Sequence, residues 1–229
     1  MMRHKRFVYL FLAVTAVAGL AAPAWAAQLD ISRIFIEYND SGPDLGFHVL
    51  LDGEDWREIE IFNPNGRLIF EVEGGGAFGN LGMTELFFEG AEPNLNDVPL
   101  RQLLAMMPEG RYRFVGETVD GERITGSGRL THAVPAAPEV DAEVDGTDVT
   151  ISWSSPAAPP RGFPNRKIVI VGYQVIVGSF QVTLPASASE ITLPEAFTAS
   201  LEPGVHDFEV LAIEAGGNQT ITEGEFEIP

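Results

Sequence analysis

The sequence predicts an all-β protein built as two tandem β-sandwich-like domains, with one short helix in the first. Three observations carry this. Apolar and polar residues alternate over short runs, as half-buried strands require. Asp52-Gly53, Asn65-Gly66, Asp120-Gly121 and Asp145-Gly146 punctuate those runs, and such pairs are strong hairpin signals because both residues tolerate positive φ. A proline- and alanine-rich segment, Val134-Pro-Ala-Ala-Pro138, then divides the chain into two halves.

In chain order, residues 1–26 read as a Sec-type signal peptide. Arg3, Lys5 and Arg6 form a basic start, Phe7 to Ala22 an apolar stretch, and Ala24-Trp25-Ala26 a small-x-small cleavage site. The expected address is therefore secreted or periplasmic, with no membrane insertion after cleavage. The whole chain has 14 basic and 33 acidic residues; removing the three basic residues of the leader leaves 11 against 33, a mature charge of about −22. A surface so acidic repels nucleic acid and anionic lipid. With no cysteine, disulfides and thiolate chemistry are excluded, and the core alone must hold the fold.

The first domain is expected over residues 28–132. Strands are predicted at Leu29 to Tyr38, at Phe47 to Leu51, around Ile59 and Ile61, at Leu68 to Val72 and at Thr84 to Glu89. Asp52-Gly53 and Asn65-Gly66 are read as turns, and Gly74 to Gly82 as a loop. The spacing of Leu100, Leu103, Leu104 and Met107 predicts a helix from Asp97 to Met107, with Asp97 as cap and Pro108 to Gly110 as stop. Tyr112 to Val119 and Glu122 to Thr131 follow as a hairpin about Asp120-Gly121. Residues 133–138 are expected to form an extended, semi-rigid linker.

Residues 139–229 show about seven strands in some 90 residues, the density of a β-sandwich. Val140, Ala142 and Val144 alternate with acidic residues, and Val149, Ile151 and Trp153 with polar ones. Ile168 to Val177 is nearly continuous apolar sequence, as a central strand would be. The set Pro138-x-Val140, Val149-x-Ile151-x-Trp153, Gly172-Tyr173-x-Val175, Leu201-x-Pro203-Gly204 and Phe208-x-Val210-x-Ala212 resembles a fibronectin type III domain. The resemblance implies that Trp153 and Tyr173 pack between two sheets. It also implies a role in binding, spacing or adhesion, without naming a ligand. The family's corner tyrosine falls at His206, where an imidazole would have to replace the phenol. Residues 28–132 carry no comparable set.

Candidate chemistry is sparse. Two readings stand for Asn39-Asp-Ser-Gly-Pro-Asp44: an inter-strand loop, and a calcium site through Asn39, Asp40 and Asp44 with Glu37 and Asp52 nearby. Calcium is the one cofactor the sequence suggests, though EF-hand spacing is absent. Gly74-x-Gly76-x-x-Gly79 matches the dinucleotide fingerprint by letter but lacks the parallel βαβ context that gives it meaning. Glu58 with Glu60, and Glu71 with Glu73, read as the wet faces of strands rather than glycosidase pairs. His48, His132 and His206 lie far apart in sequence and are expected to be structural. Arg161, Phe163, Arg166 and Lys167 form the basic cluster of a sandwich-end loop, the expected partner-binding site.

The function expected from these observations is non-enzymatic: a binding, adhesion or spacer protein whose partner is a protein or glycan of the cell envelope. The alternative is a calcium-assisted carbohydrate-binding module in which Trp56, Phe78 or Phe87 stacks on sugar rings.

Overall fold

The computed structural model describes residues 27–229, and the expected signal peptide lies outside them. The protein is all-β with few helices. The first half contains β1 (Ala27–Gln28), β2 (Ile31–Asn39), β3 (Asp44–Phe62), β4 (Leu68–Glu73), α1 (Gly76–Leu81), β5 (Met83–Glu89), α2 (Leu100–Met106), β6 (Gly110–Thr118) and β7 (Arg123–Leu130). The second contains β8 (Val140–Asp145), β9 (Asp148–Trp153), β10 (Ile170–Val177), β11 (Phe180–Pro185), β12 (Glu190–Thr192), α3 (Glu195–Thr198), β13 (Gly204–Glu214) and β14 (Gln219–Ile228).

The second half is a three-on-four sandwich. Strands β12-β9-β8 form one sheet, and β14-β13-β10-β11 lie in the other. Trp153 and Tyr173 meet between them with ring centroids 5.3 Å apart, within a core that includes Val149, Ile151, Val175, Phe208, Val210 and Phe226. This is the fibronectin III-like, immunoglobulin-like arrangement that the resemblance implies. His206 does take the corner position: its Nε2 lies 2.8 Å from the Glu202 carbonyl, four residues upstream.

The first half repeats the arrangement with one strand shared. The initial part of β3, Asp44 to Asp52, pairs with β2 and β5; the later part, Trp56 to Phe62, pairs with β4 and β6. Register shifts between Asp52 and Trp56 mark where β3 passes from one layer to the other. The layers meet through Phe70 on β4 and Phe88 on β5, stacked at 4.3 Å, around fully buried Trp56, Ile59, Ile61, Tyr112 and Phe114. Tyr112 donates its hydroxyl hydrogen to the Pro108 carbonyl at 3.0 Å. It therefore makes the same four-residue reach that His206 makes in the second half.

Several expected boundaries change. Asp52-Gly53 is not a turn, because Gly53 keeps negative φ within a continuous strand. A Cβ there would come within 3.1 Å of Leu29 Cδ2 and 3.2 Å of Leu29 Cα, so the residue admits a close crossing of chains. Gly66, Gly121 and Gly146 do adopt positive φ in turns. The expected loop at 74–82 contains the short exposed helix α1, but β4 and β5 on either side both run antiparallel to β3. No parallel βαβ unit surrounds the glycines. Helix α2 begins at Leu100 rather than Asp97, because Val98 precedes Pro99, which is itself extended at φ −57, ψ 133.

The two halves have separate cores but share a sheet. Strand β14 pairs in parallel with β2, Gln219 to Ile221 against Glu37 to Asn39, so hydrogen bonding runs unbroken from β7 to β11. The expected linker lies against this seam with Ala133, Val134, Pro135 and Pro138 buried, as is His132 just before it. Thr220 and Thr222 on β14 donate to the carbonyls of Pro135 and Pro138, at 2.6 and 3.0 Å.

Candidate metal centre beside the seam

Strand register brings four side chains together on the outer face of the β2-β3-β5 layer. His48 on β3 stands opposite Phe35 on β2 and opposite Glu89 on β5. Glu37 follows Phe35 by two residues and so shares its face, and Glu92 arrives just after β5. Gly46 sits opposite Glu37, and the missing side chain is what makes room. A Cβ at Gly46 would lie 3.0 Å from Glu92 and 3.1 Å from Glu89 Oε1.

The donor atoms of Glu37, His48, Glu89 and Glu92 lie within 4.8 Å of one another. His48 Nε2 is 3.4 Å from Glu89 Oε1 and 3.8 Å from Glu37 Oε1. The histidine is only 5% exposed, and its Nε2 is fully buried with no hydrogen-bond partner. Its ring is held flat against Phe35, with centroids 4.9 Å apart and planes 12° from parallel, and Phe87 tilts against it at 5.9 Å.

The electrostatics follow from burial and like charge. Desolvation lowers the His48 pKa and outweighs the pull of Glu37 and Glu92, so the ring is held neutral. Burial raises the Glu37 carboxyl. A hydrogen bond to Glu89, together with burial, pushes Glu92 up to about 7. Gln219 of β14 donates through Nε2 to Glu37 Oε2, leaving Oε1 as the oxygen on the histidine side.

In the loop expected to offer calcium its oxygens, several polar atoms take part in the fold. Asn39 Oδ1 accepts the amides of Ser41 and Gly42, and its Nδ2 donates to Glu223 at 2.9 Å. Asp40 accepts the Tyr38 hydroxyl, and Ser41 Oγ accepts the Glu223 amide. Asp44 pairs with Asn94 through the backbone, and its carboxyl is raised by burial, Glu92 and Glu223. Among the described residues, neither Asp40 nor Asp44 belongs to a convergent ligand group.

The basic loop is anchored to the first sandwich at two points. Phe163 packs on Tyr38 at 4.9 Å and joins the first core, while Arg166 Nε and Nη2 donate to the two oxygens of Glu109 at 3.2 and 2.5 Å. Arg161, Arg166 and Lys167 are all exposed. Trp56, expected as an exposed sugar platform, is fully buried; Phe78 and Phe87 are exposed. Glu58 faces Glu73 and Glu60 faces Glu71 across β3 and β4. His132 Nε2 lies 2.9 Å from the Met107 carbonyl, a structural contact like that of His206.

Sequence reasoning missed the convergence on His48, because its partners lie 11, 41 and 44 positions away and meet only through register. It also missed the second corner residue, although Pro108-x-Gly110-x-Tyr112-x-Phe114 parallels Pro203-Gly204-x-His206-x-Phe208.

No family model matches the chain. Among solved structures, it is similar to the fibronectin(III)-like modules of Clostridium thermocellum CbhA at 11% identity and TM-score 0.31, over 87% of this chain and 92% of that one. It is similar to Tp47, the 47-kilodalton lipoprotein of Treponema pallidum, at 11% identity and TM-score 0.38, over 91% and 52%. The spore cortex lytic enzyme SleM of Clostridium perfringens matches at 21% identity and TM-score 0.33, over 41% of this chain, which spans 28% of the enzyme. Similarity of this order assigns the chain to no family and transfers no activity to it.

Proposed function

We propose that this is a non-enzymatic spacer or binding protein of the cell envelope, in which two sandwiches act as one rigid rod. The observation that carries it is the parallel pairing of β14 with β2 over a buried connecting segment. Tandem modules on a solvated linker reorient freely, whereas a shared sheet with its connection packed beneath it fixes their angle and separation. Fixed separation is what a spacer supplies and what a binding surface spanning both modules needs. The acidic surface and the expected signal peptide fit an envelope address, and no helix of the described residues is long and apolar enough to cross a membrane.

Because the sequence has no cysteine, paired spin labels can be placed cleanly. With labels at Glu73→Cys on β4 and Gln181→Cys on β11, a rigid rod gives one narrow distance distribution. A broad or multimodal distribution would refute it. Cross-linking in the native envelope then identifies what the rod holds.

A further inference from the structure

The geometry points to a binding site for one zinc-class divalent cation, formed by His48, Glu37, Glu89 and Glu92 on the outer face of the first sandwich. Four independent features converge there. The first is a buried imidazole nitrogen without a hydrogen-bond partner, aimed at carboxylate oxygens 3.4 and 3.8 Å away. A polar atom that is both buried and unsatisfied is costly in a folded protein, and a metal ion relieves it by accepting the lone pair.

Spacing is the second feature. A tetrahedral zinc site with bonds of about 2.0–2.1 Å separates its ligand atoms by about 3.4 Å. The His48–Glu89 separation is 3.4 Å, and all four donors fit within 4.8 Å, so small side-chain movements close the site. The donor set decides the cation class. Calcium and magnesium take oxygen ligands, whereas one neutral imidazole with carboxylates suits zinc and its first-row neighbours.

The third feature is orientation from behind. Gln219 holds Glu37 by Oε2, as outer-shell partners of metal-binding carboxylates do, and Phe35 holds the imidazole plane. The fourth is the cleared space over Gly46, which a Cβ would partly fill. Four protein ligands make a closed, structural site rather than a catalytic one with an open position. Since Glu37 also holds Gln219 of β14, a bound cation would tie the first sandwich to the second.

The test is titration of chelator-treated, desalted protein with zinc chloride at pH 7.5, followed by calorimetry and by thermal unfolding. One equivalent is expected to bind with micromolar or tighter affinity and to raise Tm. Glu89→Gln and Glu92→Gln, both exposed positions, each weaken binding at least tenfold while far-UV circular dichroism stays unchanged. Gly46→Ala weakens it without removing a ligand. His48→Gln abolishes it, and should that variant fail to fold, the two exposed variants still decide the matter. No heat and equal Tm in zinc and in chelator would overturn the site. So would zinc binding that survives Glu89→Gln and Glu92→Gln unchanged, or calcium binding in preference to zinc. The spin-label distances above are measured without added metal, so failure of the cation site leaves the rigid-rod result standing, and the reverse.

Discussion

The side-chain carbonyl of Asn218 accepts the backbone N–H of Ile36 at 2.8 Å, joining residues 182 positions apart in the buried heart of the seam. The same side chain donates through Nδ2 to the Thr131 carbonyl at 2.9 Å, the Thr131 hydroxyl at 3.1 Å and the Ala133 carbonyl at 3.1 Å. One amide, 1% exposed, thus serves a strand of the first sandwich, the connecting segment and the turn before β14.

Asn218→Ala should therefore destabilise the protein strongly. It orphans the Ile36 amide and at least one buried carbonyl, at about 1–3 kcal/mol for each unsatisfied group. The expected loss is about 3 kcal/mol, which lowers Tm by roughly 5–10 °C in a unit of this size. Urea or thermal unfolding checks it, and an unchanged midpoint would contradict the role assigned to Asn218.

The Glu109–Arg166 pair should appear in the acid limb of stability. Its hydrogen bond to Arg166, helped by the His132 amide, holds the Glu109 carboxyl at about 2 against an ordinary 4.5. A depressed carboxyl stabilises the fold above its ordinary value, and that stabilisation is lost as pH falls from 4.5 through about 2. Arg166 is solvent-exposed, so water and salt screen the pair and its contribution at neutral pH is small. Unfolding measured from pH 6 to pH 2 should fall less steeply for Arg166→Gln than for the parent.

Removing either corner hydrogen bond should cost about 1 kcal/mol. Tyr112→Phe deletes the bond to Pro108 and nothing else, and His206→Phe deletes the bond to Glu202 while keeping a ring against Phe226. His206→Tyr restores a hydroxyl at the corner and should recover part of the loss. Chemical denaturation of the three variants makes the comparison.

Phe163→Ala should release the loop between β9 and β10 from the first sandwich. The ring contacts Tyr38 and lies beside Leu100 and Leu104, so its loss removes about 1–2 kcal/mol of apolar burial. Limited trypsin digestion should then cut at Arg161, Arg166 or Lys167 several times faster than in the parent.

How far the sequence revealed these features depends on whether they are local. Strands such as β8, β9 and β11 were legible because alternation is a property of adjacent residues, and Gly121 and Gly146 turned the chain where their pairs indicated. Gly53 looked the same by letter, but its backbone answers to Leu29, twenty-four residues away, and the strand continues into the other layer without a turn. The anchoring of Phe163 and Arg166 was not legible, because sequence does not show that Tyr38 and Glu109 lie beside them. The cation site was illegible for the same reason. Histidine 48 meets its carboxylates through the register of three strands, and register is set by packing rather than by spacing.

Strand β2 has a further consequence for how the chain is made. One of its edges is covered by β3, its neighbour in sequence, and the end of the other, Glu37 to Asn39, by β14, which emerges from the ribosome some 180 residues later. Until then the nascent first sandwich presents an open strand edge, the kind that recruits other chains. Shortening the protein before β14 would leave that edge permanently open, so self-association is the failure expected of the isolated first half.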